Sequence, residues 1–200
     1  GRELAQSSML NPQVAYGADV ITRIQQAVQG NLALLTQLIR HAMTDLIQMV
    51  CDDAGISPQK VDVVSVVGNP AMQQLFLGIC PDNLSEVPFA PALTEAKAVS
   101  CKEILPICPA AQLLIVPDIA GFIGADTIGC LLATKLYEDD ALTLLVDIGT
   151  NGEMVLGNRD GMIACATAAG PALEGANIQF GMRAVPGAID HVWTEDGKIL

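Results

Sequence analysis

The stretch Leu142-Thr143-Leu144-Leu145-Val146-Asp147-Ile148-Gly149-Thr150-Asn151-Gly152-Glu153-Met154-Val155-Leu156-Gly157 decides how the chain is read. An apolar run from Leu142 to Val146 ends at an aspartate. Gly149-Thr150-Asn151-Gly152 follows, and a second apolar run begins at Met154. Asn-Gly between two strand-like runs predicts a β-hairpin, because a tight primed turn needs positive φ. The glycines also let backbone N–H groups approach a ligand with no Cβ in the way. Consecutive N–H groups make a nest for an anion, and Asp147 at the strand end is placed to hold a water on Mg²⁺. The combination suits a nucleotide phosphate. Taken alone, the same residues also make a structural hairpin whose Asp and Asn satisfy the turn.

The flanking sequence extends the pattern on both sides. Upstream, Leu113 to Val116 reads as a strand ending in Pro117-Asp118, and Ile119 to Lys135 as a helix containing Gly121, Gly124 and Gly129. Downstream, Asn158 to Gly161 turns into a strand from Met162 to Ala166. Thr167-Ala168-Ala169-Gly170-Pro171 then leads into a short helix from Ala172 to about Gln179, and Gly187 to Trp193 reads as a further strand. Asp196-Gly197 marks a last turn.

The first half has its own frame. Asn11-Pro12-Gln13 opens an expected helix to about Val28, with Asp19, Arg23 and Gln26 on one salt-bridged face. Asn31 caps a longer expected helix that ends at Gly55, its apolar face carrying Leu35, Leu38, Ala42, Met43 and Leu46. Val61 to Val67 is a β-branched strand running into Gly68-Asn69-Pro70. There Asn69 is the N-cap and Pro70 the first position of a helix to Leu77. A strand, a glycine turn and a helix N-terminus often face a ligand crevice in open α/β folds, and equally often are an ordinary connection. Ala96 to Ser100 reads as an edge strand.

Composition limits the function classes. Apolar residues make up 51% of the 200 and aromatics 4%, so the core is built from Ala, Val, Ile and Leu, which favours an α/β layout. Formal net charge is −12 with no Lys/Arg cluster, which argues against nucleic acid. The run from Leu113 to Ala133 is long enough to raise a membrane span, but Asp118 and Asp126 would each cost about 2.5–3.5 kcal/mol on insertion. It is not a span, and the acids mark a site instead. The six cysteines show no Cys-x-x-Cys. Cys51, Cys130 and Cys165 read as buried free thiols, Cys101 and Cys108 as structural thiols ahead of a metal pair, and the location as cytoplasmic.

From residue 113 onward the order is strand, acidic turn, glycine-containing helix, strand with terminal Asp, hairpin, strand, Ala-Gly-Pro turn, helix. This resembles a nucleotide-binding half of the superfamily of sugar kinases, actin and heat-shock chaperone ATPases. Five blocks sharpen it: Asn11-Pro12-Gln13 with Tyr16 to Ile21, Val67 to Met72, Ala120 to Asp126, Asp147 to Glu153, and Ala168 to Ala176. In this order they resemble the reductive activators of corrinoid proteins over nearly the whole chain.

The resemblance implies a ribonuclease-H-like α/β fold with mixed sheets flanked by helices in two lobes, here incomplete. Residues 1–118 would be the remainder of a first lobe with inserted segments. Residues 119–200 would be a connecting helix and part of a second nucleotide-binding lobe. It implies ATP-driven reduction of a corrinoid protein of a methyltransferase system from Co(II) to Co(I), Mg²⁺ with the ATP, and a [2Fe–2S] domain in the full-length protein. The ferredoxin-type cysteine spacing is absent here. The first phosphate hairpin is expected before Gly1 and an adenosine-contacting segment beyond Leu200, so the isolated chain is not expected to hydrolyse ATP.

Residue roles carry over by position. Asp147 would hold Mg²⁺ through water, and Gly149, Thr150, Asn151 and Gly152 would donate to the phosphates. Glu153 would orient a water or the metal, or is a solvated strand residue. Asp126, ahead of Asp118, would face the γ-phosphate as the water-orienting acid. Gly170 and Glu174 would line the nucleotide crevice, with Gly68 and Asn69 on the opposite wall. Two other functions stay open: a non-hydrolysing module that docks the corrinoid protein or forms a homodimer, and a small-molecule kinase of the same superfamily.

Overall fold

The computed structural model describes residues 1–169, 192, 194–195 and 198–199. Its contacts divide the chain into two compact units, Gly1–Thr134 and Lys135–Leu200. The boundary expected from sequence, between 118 and 119, was drawn for the lobes of a larger protein.

In the first unit, Val63–Val66 (β1), Lys97–Ser100 (β2) and Gln112–Ile115 (β3) form one sheet in the order β1-β3-β2. The β1–β3 pair is parallel and β2 runs antiparallel to β3. β3 alternates as a half-buried strand should, with Leu113 and Ile115 in the core and Leu114 outward. Phe76, Leu93, Cys101, Leu105 and Cys108 complete that core. Each fully buried side chain of this size contributes about 1.5–3 kcal/mol.

Four helices cover this frame: Val20–Gln26 (α1), Leu32–Ala54 (α2), Pro70–Leu77 (α3) and Ala125–Thr134 (α4). The helix expected from Pro12 to Val28 is broken. Asn11 caps only a 3₁₀ turn at Pro12–Ala15, and Asp19 caps α1 afresh. The break has a steric cause, since a Cβ on Gly17 would lie 2.9 Å from both the Arg23 backbone nitrogen and its Cγ. Arg23 is buried and donates through Nε to Gly17 O at 2.9 Å, so it does not lie on a salt-bridged surface face. Gly30, at φ 101°, bends the chain between α1 and α2. Asn31 starts α2 without a capping hydrogen bond, its amide donating instead to Gln26 Oε1.

α2 ends as expected at Gly55, in the left-handed region that glycine tolerates. It packs on α3 through two polar contacts. Thr36 Oγ1 donates to Leu75 O, and Arg40 Nε to Phe76 O, each at 2.8 Å. These satisfy carbonyls of α3's last turn, which have no partner inside the helix. The expected helix from Ile119 begins only at Ala125. Residues before it fold back in a turn where Ala120 N–H and Ile123 C=O pair at 3.1 Å. A Cβ on Gly121 would fall 1.9 Å from Phe89 O, so this loop is pressed against the 86–93 segment in a way a helix would not permit.

The second unit is a meander. Thr143–Ile148 (β4), Asn151–Asn158 (β5) and Gly161–Ala168 (β6) pair antiparallel in that order. Thr194–Glu195 (β7) and Lys198–Ile199 (β8) make a separate two-stranded pair. Arg159 holds the β5–β6 turn to the entry of β4, with Nε 2.7 Å from Asp140 Oδ1 and its N–H donating to Asp139 O. The expected helix at 172–179 and strand at 187–193 lie outside the described residues. Cys165 is exposed, against the expectation of a buried thiol, whereas Cys51, Cys101 and Cys108 are buried. Among the described residues no helix is long and apolar enough to cross a membrane.

Candidate functional site

The residues singled out in the sequence fall into two clusters, one in each unit. In the first, β1 runs out into Gly68-Asn69. Asn69 Oδ1 accepts the Met72 N–H at 2.9 Å and caps α3, with Pro70 in the first turn. Gly68 O accepts the N–H of Ala125 at 3.0 Å and of Asp126 at 3.4 Å. The start of α4 is thereby tied to the β1–α3 turn. Gly124 permits this approach, because a Cβ there would lie 2.6 Å from both Asn69 Cα and Gly68 O. Gly68, Asn69 and Asp126 are thus brought together.

The two acids of this cluster differ in setting. Asp126 is half-buried and accepts the Thr127 N–H through Oδ1 at 2.9 Å. Asp118 is only 5% exposed, and neither carboxyl oxygen makes a hydrogen bond. Burial raises its pKa to about 7; the nearby Ala125 N–H draws it down and the charge of Asp126 pushes it up again. Of the two acids that the sequence marks as costly, it is Asp118 that bears the desolvation.

The second cluster is the hairpin. Asp147 and Glu153 are directly opposite each other on β4 and β5, and Ile148 is opposite Gly152. The bend lies on Gly149 and Thr150, while Asn151 and Gly152 are already in β5. The expected positive-φ Asn-Gly turn is not formed: neither residue is among the positive-φ positions. A third strand explains the shift. β6 pairs Ala168 with Asn151 and Thr167 with Gly152, drawing both into the ladder, and Ala169 N–H donates to Thr150 O at 3.3 Å. Gly149 N–H donates back to Asn151 O at 2.8 Å. Gly152 is buried, and a Cβ there would sit 3.4 Å from Thr167 Cγ2.

Asp147, Gly149, Thr150, Asn151, Gly152 and Glu153 are accordingly contiguous at one end of the meander. Carboxylates directly opposite on neighbouring strands repel, and a cation offsets that repulsion. A single carboxylate acting through water suffices for Mg²⁺, so the donor set fits the ion. Among the described residues no trio of His, Cys, Asp or Glu is grouped to hold a metal directly. Gly170 and Glu174 lie outside the described residues. An open groove of about 500 Å³ along α2, with Leu38, Arg40, His41, Ile104 and Pro106 in its walls, contains none of the predicted site residues.

The meander is where a known domain class begins. Residues 141–199 match the family described as the C-terminal domain of RACo, the ASKHA domain. Residues 1–139 match the family described as the RACo middle region, and the chain belongs to it. The chain is 40% identical over 199 residues to the corrinoid activation enzyme RamQ of Eubacterium limosum, covering 98% of this chain and 33% of that protein. It is 42% identical over 84 residues to a [Co(II) methylated amine-specific corrinoid protein] reductase of Methanosarcina barkeri, covering 42% of this chain and 16% of the relative. A solved structure, a reductive activator for corrinoid, iron–sulfur protein, superposes with a TM-score of 0.83 at 37% identity. That match covers 95% of this chain and 31% of the other. The chain spans about a third of the length of RamQ and of the solved activator. The resemblance read from the five blocks and the α/β fold class are both borne out.

Proposed function

We propose that this chain is the central part of an ATP-dependent activator that reduces a corrinoid protein from Co(II) to Co(I). The observation that carries the reading is the match of both units, in sequence order, to the middle and ASKHA families of one activator. The relatives named as corrinoid activators and a corrinoid protein reductase supply the reaction class. In the proposal, Asp147 holds Mg²⁺ through a water, and Gly149, Thr150, Asn151 and Gly152 meet the nucleotide phosphates. Glu153, opposite Asp147, orients water or the metal. Asp126 is the water-orienting acid, with Gly68, Asn69, Gly170 and Glu174 along the crevice.

The full-length protein carries a [2Fe–2S] domain as electron entry, works as a homodimer in the cytoplasm, and serves a corrinoid protein of a methyltransferase system. Uphill electron transfer needs ATP, because hydrolysis can bias the activator between states of different affinity for the Co(II) and Co(I) forms. The test uses full-length protein, reductant, Mg-ATP and a Co(II) corrinoid protein, following the Co(I) absorbance. ATP-dependent appearance of Co(I) is the expected result. Phosphate transfer to a small metabolite would make it a kinase instead, and complex formation with no ATP-dependent Co(I) would make it a docking module.

A further inference from the structure

Asp118 has no part in the function just proposed, yet it is the most desolvated acid of its unit. Its two carboxyl oxygens, Gln73 Oε1 and Thr127 Oγ1 are all buried without a hydrogen-bond partner, as is the amide of Gln74. Three of these residues lie on segments joined by hydrogen bonds around the Gly68 turn. Gln73, on α3, donates through Nε2 to Val116 O at 3.1 Å, two residues before Asp118. Asp118 N–H donates to Leu93 O at 2.7 Å, which fixes the loop at the exit of β3. Thr127 lies in the first turn of α4, next to Asp126, whose N–H meets Gly68 O and whose charge reaches Asp118. Buried polar atoms in native proteins are rarely left unpaired, and groups in such a position commonly hold an internal water.

We infer that Asp118, Gln73 Oε1 and Thr127 Oγ1 line a closed polar chamber beneath the first turn of α4, and that this chamber is a proton-operated latch between the β3 exit loop and α4. With the acid neutral, its O–H is a donor for Gln73 Oε1 or for a buried water that also serves Thr127. With the acid ionised, the carboxylate lies within reach of the charge of Asp126, which opposes ionisation, and the Ala125 N–H offsets burial only in part. The surrounding segments supply no cation. α3, residues 87–93 and residues 117–124 contain no other titratable side chain, and α4 carries only Asp126, which opposes ionisation, and Cys130. An unpaired buried charge is released by opening the contact and admitting solvent. Because ionisation is favoured in the open form, the latch loosens as pH rises from the ordinary aspartate range to the value of the closed form, and is constant above it.

Hydrogen exchange of the full-length protein reads this directly. After correction for the intrinsic rate, protection of peptides spanning 117–130 is expected to fall about tenfold or more between about pH 5.5 and pH 8. Asp118→Asn, a neutral isostere, is expected to abolish that dependence. Thr127→Val keeps the acid and is expected to retain the dependence, so a misfolded Asn variant leaves the test intact. Equal protection of the wild type at both pH values would overturn the latch, as would an unchanged dependence in Asp118→Asn. Recovery of protection at the higher pH on adding K⁺ or Mg²⁺ would also overturn it, since the chamber would then be a cation site.

Discussion

The Ala125 N–H donates to Gly68 O at 3.0 Å, joining the start of α4 to the turn that follows β1. That contact brings residues from distant parts of the sequence into one cluster, and its steric condition is Gly124.

Gly124→Ala is therefore expected to destabilise the protein. The new Cβ would stand 2.6 Å from Asn69 Cα and from Gly68 O, both backbone atoms that cannot swing aside. Overpacking of this kind costs roughly 1–3 kcal/mol or more. Gly129→Ala, inside α4 with its nearest contact at 3.7 Å from Val67 Cγ1, is expected to be neutral or to gain up to about 1 kcal/mol from helix propensity. Urea unfolding midpoints of the two variants check the contrast.

Asn69→Ala removes the cap of α3, whose Met72 N–H then has no acceptor. A loss of about 1 kcal/mol is expected, and Asn69→Asp should retain most of the stability because it offers the same acceptor. Thermal unfolding of the two variants separates capping from a general loss of the turn.

Asp19 gives a pH dependence of ordinary sign. Its carboxylate accepts the Thr22 N–H at 2.8 Å and the Thr22 hydroxyl at 2.9 Å. The backbone bond from Thr22 is the largest influence and outweighs the cost of burial, so the pKa is lowered in the folded state. A lowered carboxyl pKa stabilises above the unfolded value, and that contribution is lost as pH falls through the folded value. Asp19→Asn is expected to flatten the acid limb of the stability profile by lowering the neutral plateau toward the acid value, with little change below the folded pKa, as chemical denaturation at a series of pH values would measure.

Local signals that depended on a few neighbouring residues were legible. Asn69-Pro70 predicted the start of α3 correctly, and Gly55 predicted the end of α2, because capping is decided within one turn. Signals overridden by distant residues were not. Residues 119–124 were expected to open the helix, yet Gly121 under Phe89 and Gly124 against Gly68 hold them out of α4. Asn151-Gly152 is a hairpin dipeptide by its neighbours, but the pairing of β6 draws it into a strand and moves the bend to Gly149-Thr150. The same limit applies to the acids. Sequence marked both Asp118 and Asp126 as costly, and only the packing of α3 and α4 distinguishes the desolvated one.

The central claim is that the bend after Asp147 holds the phosphates of a Mg-bound nucleotide. Calorimetric titration of Mg-ATP into the full-length protein tests it, comparing the wild type with Asp147→Asn at saturating Mg²⁺ and again with Mg²⁺ removed. Loss of a carboxylate that holds the metal through water is expected to weaken Mg-ATP binding by about 10–100-fold, and the two proteins should converge once Mg²⁺ is absent. Equal affinity of the folded wild type and Asp147→Asn with Mg²⁺ present would contradict the account.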